Sequence, residues 1–219
     1  MMNTPLIISF YTQNTIYEKE VEDLEASCQS LELAYYIEGR KDLGTWEENC
    51  CQKPLFILEC LKKFKKPLLW VDADAMIFHR PPFLFGDADI SLYFEDIASK
   101  QVRTGTIYLA PTQRTLDFVS LWHEVCQKKI SQQEPLPFPD QNIFSALLQT
   151  YPGSLHIGQL SIEYTQIFDK EPIPMEKACI VHFQSSRTAL MPPLFWRHLS
   201  GRELKIMRMQ VSERLLTKT

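Results

Sequence analysis

Residues 67 to 78, PLLWVDADAMIF, limit what this chain can fold into more than any other stretch. Pro67 to Val71 form an uncharged, mostly apolar run with the length and punctuation of a buried parallel strand, and the run ends at once in two carboxylates, Asp72 and Asp74. Ionised carboxylates are costly to bury, so aspartates placed where an interior strand emerges are expected to be paired, hydrogen-bonded or bound to a cation. On an extended chain the i, i+2 spacing puts both on one side, with only the small Ala73 between them. Two hard oxygen ligands facing one point suit Mg²⁺ or Mn²⁺, particularly an ion that also holds phosphate oxygens. An Asx-type turn or a helix N-cap at the strand end is the competing reading, and the motif alone leaves both open.

The sequence around this stretch alternates strand and helix. Pro5 to Tyr11, PLIISFY, reads as a first core strand, and a helix follows in which Thr15 and Glu18 have capping-box spacing and Val21, Leu24, Cys28 and Leu31 share a face. Leu33 to Ile37 reads as a second strand. Glu38 to Lys53 is polar and reads as loop with at most one helical turn. Pro54 then opens a helix with Leu55, Leu58 and Leu61 as its stripe, and Lys62, Lys63, Lys65 and Lys66 gather where cations favour the helix dipole. This order predicts a parallel α/β sheet that delivers ligands to the carboxyl ends of its strands.

Beyond Phe78, paired prolines and Gly86 enforce turns before a strand at Ile90 to Phe94; Glu95 to Arg103 reads as surface loop and Gly105 to Ala110 as the next strand. Thr115 to Lys128 is an amphipathic helix using Leu116, Val119, Trp122 and Cys126. Ser131 to Pro139 contains three prolines and reads as a lid or a connection. Asp140 precedes a helix with Ile143, Leu147 and Leu148 inward, where an N-cap is its plain structural role. Strands at Leu155 to Ile157 and Ala178 to Phe183 follow, the latter bringing His182 to a strand end.

Net charge and cysteines narrow the function classes. At minus 4 the chain has no global basic field, which excludes a generic nucleic-acid binder. Its six cysteines, Cys28, Cys50, Cys51, Cys60, Cys126 and Cys179, show no C-x-x-C pair and read as free thiols. No uncharged run approaches the roughly 18 residues of a membrane helix, and no signal-peptide pattern opens the chain. A cytoplasmic protein is expected, and 219 residues suit one domain. Residues 192 to 219 read as a basic amphipathic helical tail that packs on its own domain, touches an anionic membrane or meets a partner.

The order of these features, the strand to Tyr11, VDAD, GTIYL, PDQN and VHFQSSR, resembles the GT-A type glycosyltransferases, in particular nucleotide-diphospho-sugar transferases that share a D-x-D, a later D-Q and a late histidine. The resemblance spans roughly residues 5 to 190. It implies a Rossmann-like domain with a mixed, mainly parallel sheet flanked by helices. It also implies that Asp72, Asp74 and His182 hold Mn²⁺ or Mg²⁺ against the phosphates of a nucleotide sugar, or that Asp74 and His182 do so while Asp72 serves the ribose or a metal-bound water. Phe10, Tyr11 and Thr12 match the nucleobase position, for uridine or guanosine, with a UDP-sugar expected ahead of a GDP-sugar. Gly105 allows close approach of a ligand, Lys53 and Arg187 are candidate cations for the leaving phosphate, and Ser185 and Ser186 are candidate phosphate donors. Asp140 and Gln141 face the sugar and acceptor. In an inverting enzyme Asp140 would be the base; in a retaining one, the outcome the resemblance favours, the pair orients the donor. The implied reaction is hexosyl transfer to a glycan, lipid or protein hydroxyl.

Two rivals are weighed. A haloacid-dehalogenase-like phosphatase also places D-x-D at a strand end, but on its first strand, and wants Thr or Val where this chain has Met76. A non-catalytic binding protein on a degenerate transferase fold would not need Asp72, Asp74, Asp140 and His182 together.

Overall fold

The computed structural model describes residues 4–132, 139–168 and 177–185. The apolar run before the aspartates is β3 (Leu68–Val71), buried along its whole length. On one side it pairs in parallel with β1 (Leu6–Thr12), on the other antiparallel with β6 (Gln101–Leu109). With β2 (Tyr35–Arg40), β5 (Ile90–Asp96) and β7 (Ile157–Gln159) these strands make one sheet in the order β2-β1-β3-β6-β5-β7. The pairs β1–β2, β1–β3 and β5–β7 are parallel while β3–β6 and β5–β6 are antiparallel, so the sheet is mixed and mainly parallel.

The inner strands are apolar on both faces because both faces are covered. Leu6, Ile8 and Phe10 of β1, with Leu68 and Trp70 of β3, point into one core. That core is filled by α3 (Gln52–Phe64), α4 (Gln113–Ser131) and α5 (Pro139–Thr150). The alternate residues Ile7, Leu69 and Val71 enter a second core with Leu24 and Cys28 of α1 (Tyr17–Ser30). This second layer also holds a small sheet, β4 (Ala75–Ile77), β9 (Ile180–His182) and β8 (Gln166–Ile167), in the order β4-β9-β8.

Several elements differ from their sequence reading. β2 starts two residues later than Leu33, at Tyr35. Thr15 and Glu18 form no capping box: the Thr15 hydroxyl turns back to the Thr12 carbonyl at 2.7 Å, Glu18 Oε2 accepts from the Asn14 amide, and Ile16 precedes the helix. The capping box belongs instead to Thr45 and Glu48, which open α2 (Trp46–Cys50) inside the segment read as loop. α3 begins before Pro54, and Phe56, Ile57 and Cys60 join Leu58 and Leu61 in the core while Leu55 is only half-buried. Lys65, in the left-handed conformation at φ 51°, ends it before Pro67. Glu95 to Arg103 is the tip of the β5–β6 hairpin, stitched by Arg103 Nε to Glu95 Oε1 at 2.9 Å. Its polar residues belong to strand ends, which mask the alternation.

All six cysteines are free thiols. No helix among the described residues is long and apolar enough to cross a membrane. Most of the proline-rich break before Asp140, as well as Ser186, Arg187 and the tail from 192 to 219, lies outside the described residues.

Candidate active site

The two aspartates lie where the chain passes from one sheet to the other. β3 ends at Val71, the Ala75 amide donates to the Asp72 carbonyl at 3.1 Å, and β4 starts at Ala75, so Asp72 to Asp74 is a tight turn and not the extended chain expected from the i, i+2 spacing. The turn is required because β3 pairs with β1 and β6 while β4 pairs with β9. That second pairing sets Ala75 opposite His182 and so brings the late histidine beside the motif. One ligand atom from each of Asp72, Asp74 and His182 lies within 4.8 Å of the others.

Each of the three is held by a specific partner. Asp74, buried, accepts the Ser185 amide at 2.8 Å through Oδ2. His182, also buried, has Nε2 2.9 Å from Thr106 Oγ1. In the tautomer in which Nε2 donates to that hydroxyl, Nδ1 presents its lone pair to the cluster. Burial, with help from Lys53 and Arg103 and against the pull of Asp72, lowers the imidazole to about 4, so it is neutral and ligand-competent at neutral pH. Gly105 completes the cradle: a Cβ there would sit 3.0 Å from His182 Nδ1 and 3.2 Å from Asp72 Oδ2. A space that one methyl would crowd, between a neutral imidazole nitrogen and a carboxylate oxygen, fits a small divalent cation of Mg²⁺ or Mn²⁺ type.

Beside this cradle lies a buried ammonium between two carboxylates. Lys53 Nζ is 3.0 Å from Asp72 Oδ1 and 2.6 Å from Asp140 Oδ2, and donates to the Thr104 carbonyl at 3.3 Å. Burial opposes its charge, but Asp140 and Asp72 overcome that and raise its pKa well above the usual lysine range. Its three protons go to these three acceptors. Asp140 Oδ2 also accepts from Thr104 Oγ1 at 3.0 Å, and its carbonyl accepts from Trp122 Nε1 at 3.1 Å. Asp140 therefore lies inside the first turn of α5 with its carboxylate turned to Lys53 and Thr104, and is not the N-cap that its place in the sequence suggests. Asp72 Oδ1 is shared by Lys53 and by Trp70 Nε1, 2.9 Å away. Burial raises the Asp72 carboxyl, with Lys53 and His182 opposing and Asp74 and Asp140 adding to the rise.

The other residues singled out from sequence sit as follows. Phe10 points into the core, with ring centroids 5.5 Å from both Phe56 and Trp70, so the end of the first strand offers Tyr11 more than Phe10 to a ligand. Tyr11 lies across Gly39, where a Cβ would come within 2.9 Å of its ring. The Thr12 hydroxyl is 2.9 Å from that of Thr15. Gln141 is half-buried on the first turn of α5. The Ser185 hydroxyl is buried with no hydrogen-bond partner among the described residues.

Several neighbours were not read from sequence. Thr104 and Thr106 flank Gly105 and hold Asp140 and His182. Tyr17, hydrogen-bonded to Trp46, is raised in pKa by burial and then by Asp74. Cys50 is raised by burial and then by Asp140. The T-G-T pattern is the signal the sequence holds for the threonines; Trp46 and Cys50 fall in the polar segment that reads as loop.

The chain is similar to known proteins in sequence and in fold. The family described as nucleotide-diphospho-sugar transferase matches residues 19–189. Among solved structures, the crystal structure of a glycosyltransferase involved in the glycosylation of the major capsid of PBCV-1 superposes with a TM-score of 0.65 at 17% identity, over 84% of this chain and 95% of that one. At that identity the likeness speaks for the fold. No curated protein matches.

Proposed function

The chain belongs to the nucleotide-diphospho-sugar transferase family and is a glycosyltransferase, and we propose that it moves a hexose from a UDP-sugar to an acceptor hydroxyl with the help of Mn²⁺ or Mg²⁺. The observation that carries the metal-dependent reading is the meeting of Asp72, Asp74 and His182 within 4.8 Å around the gap that Gly105 leaves. Asp72 Oδ2, a carboxylate oxygen of Asp74 and His182 Nδ1 would hold the ion. When bound, it supplies Lewis-acid stabilisation of the negative charge that grows on the departing diphosphate.

The chain's own groups do the rest. Lys53 compensates Asp72 and Asp140 and fixes both, so the sequence-based role of a phosphate cation passes to Arg187, with Ser185 and Ser186 as donors to the phosphates. Tyr11, with Phe10 beneath it and Thr12 beside it, bounds the nucleobase. Asp140 and Gln141 face the sugar. One oxygen of Asp140 is already committed to Lys53 and Thr104. A carboxylate held this way suits orienting the donor and stabilising positive charge at the anomeric carbon better than accepting the acceptor's proton, which favours retention. The acceptor is a hydroxyl on a glycan, lipid or protein.

Thermal unfolding tests the site. Ligands that bind only the native state raise the melting temperature. Mn²⁺ with UDP is expected to do so for wild type and not for Asp74→Ala. Equal shifts in both proteins, or none in either, would overturn the metal-site reading.

A further inference from the structure

Asp72 carries two carboxylate oxygens, and the structure treats them differently. Oδ1 receives two donors, Trp70 Nε1 at 2.9 Å and Lys53 Nζ at 3.0 Å. Oδ2 faces the Gly105 gap, 3.2 Å from where a Cβ would stand, on the side where His182 Nδ1 lies 3.0 Å from the same point. The two donors come from different elements, β3 and α3, and both are buried. The ammonium also lies 5.3 Å from the centre of the Trp70 ring.

We propose that Trp70 and Lys53 are positioning residues that clamp Oδ1 of Asp72, so that this aspartate offers a metal ion one oxygen only, and that Lys53 ties the clamp to Asp140 on the sugar side. An unclamped aspartate can turn both oxygens to a divalent ion and bind it in bidentate fashion. Removing the ammonium also removes a positive charge from within a few ångströms of the ion, which favours cation binding. The clamp therefore trades metal affinity for geometry: it keeps the ion's remaining positions for phosphate oxygens and keeps Asp72 and Asp140 in fixed relation.

The inference rests on the metal-dependent transfer reading, and the test separates the two. Lys53→Met and Trp70→Phe are titrated with Mn²⁺ alone, followed by electron paramagnetic resonance, and both are assayed for UDP release from the donor. Trp70→Phe keeps an apolar ring in the core and covers the case in which Lys53→Met does not fold. In both variants the clamp predicts a Mn²⁺ spectrum different from wild type and a lower Kd, tighter by about threefold or more in Lys53→Met. It predicts a kcat lowered about tenfold with the donor KM little changed. Asp89→Asn serves as the destabilised control: the buried Asp89 carboxylate, just before β5 at the opposite end of the sheet, accepts from Thr112 and Arg114, and its loss leaves spectrum and Kd as in wild type. The clamp is overturned if Trp70→Phe matches wild type in spectrum and Kd, or if the two clamp variants bind Mn²⁺ more weakly. Absence of Mn²⁺ binding by wild type overturns both clamp and metal site. A wild type that binds Mn²⁺, with variants shifting as stated but no nucleotide sugar turned over, supports the clamp and overturns the transfer reading alone.

Discussion

Gly105 shows how one residue without a side chain can govern a site. Its backbone carbonyl accepts the Asp72 amide at 2.9 Å, and the volume a Cβ would take lies between His182 and Asp72. Gly105→Ala is expected to leave the strand folded, since alanine adopts extended backbone, and to weaken Mn²⁺ binding by about tenfold or more, because one partner of a packed trio must shift by several tenths of an ångström. Isothermal titration with Mn²⁺ checks this; unchanged affinity would mean that the gap is not the metal cradle. At this scale the sequence was informative where chemistry is unusual. Carboxylates after a buried strand and a histidine at a late strand end stand out because burial of such groups needs a reason. Trp70, Thr104 and Thr106 do not stand out, since indoles and threonines are ordinary strand residues and only the fold reveals what their polar atoms meet. Nothing in one dimension shows that two aspartates, one of them 87 residues downstream, converge on the Lys53 ammonium.

Among the elements, the decisive feature is the exit of the chain from β3 into β4 through the Asp72 to Asp74 turn, which joins the two sheets at the carboxylates that converge on His182. The other end of the main sheet is fastened by Asp89, fully buried, whose carboxylate accepts from Arg114 Nε at 2.7 Å, Thr112 Oγ1 at 2.7 Å and the His156 amide at 3.0 Å. These bonds tie the start of β5 to α4 and to the segment leading into β7. Burial would raise this carboxyl, but Arg114, the His156 amide and Thr112 outweigh it and hold it at about 2. The folded pKa is below the unfolded one, so the stabilisation is complete above the ordinary carboxylate range and drains away as pH falls through it toward about 2. Asp89→Asn is therefore expected to cost about 2 kcal/mol at neutral pH, with the gap to wild type narrowing as the pH falls. Urea unfolding of both proteins across the acid range measures this, and a gap independent of pH would contradict it. Long elements with a clear period, such as β1, α1 and α4, were legible from sequence. Short ones were not: β4 and β8 are too brief to show alternation, and T-x-x-E spacing occurs twice, at Thr15 and at Thr45. Only the second forms a box, because the first threonine is spent on the Thr12 turn.

For the molecule as a whole, the architecture explains why a site can form from residues so far apart in sequence. A parallel half, β2-β1-β3, supplies Tyr11 and Asp72 at strand ends, the antiparallel β6 brings Gly105 alongside, and the small second sheet adds His182. The strand and helix order made the sheet class legible in the sequence. The second sheet was not, since it is assembled from pieces of two and three residues whose pairing is entirely long-range. The most direct test of the account is release of UDP from a panel of nucleotide sugars by wild type and Asp74→Asn, with Mn²⁺ and with a chelator. The account predicts turnover of a UDP-sugar by wild type that requires the ion and falls by about a hundredfold or more in Asp74→Asn. Turnover that survives both the chelator and the substitution, or no turnover of any nucleotide sugar, would contradict it.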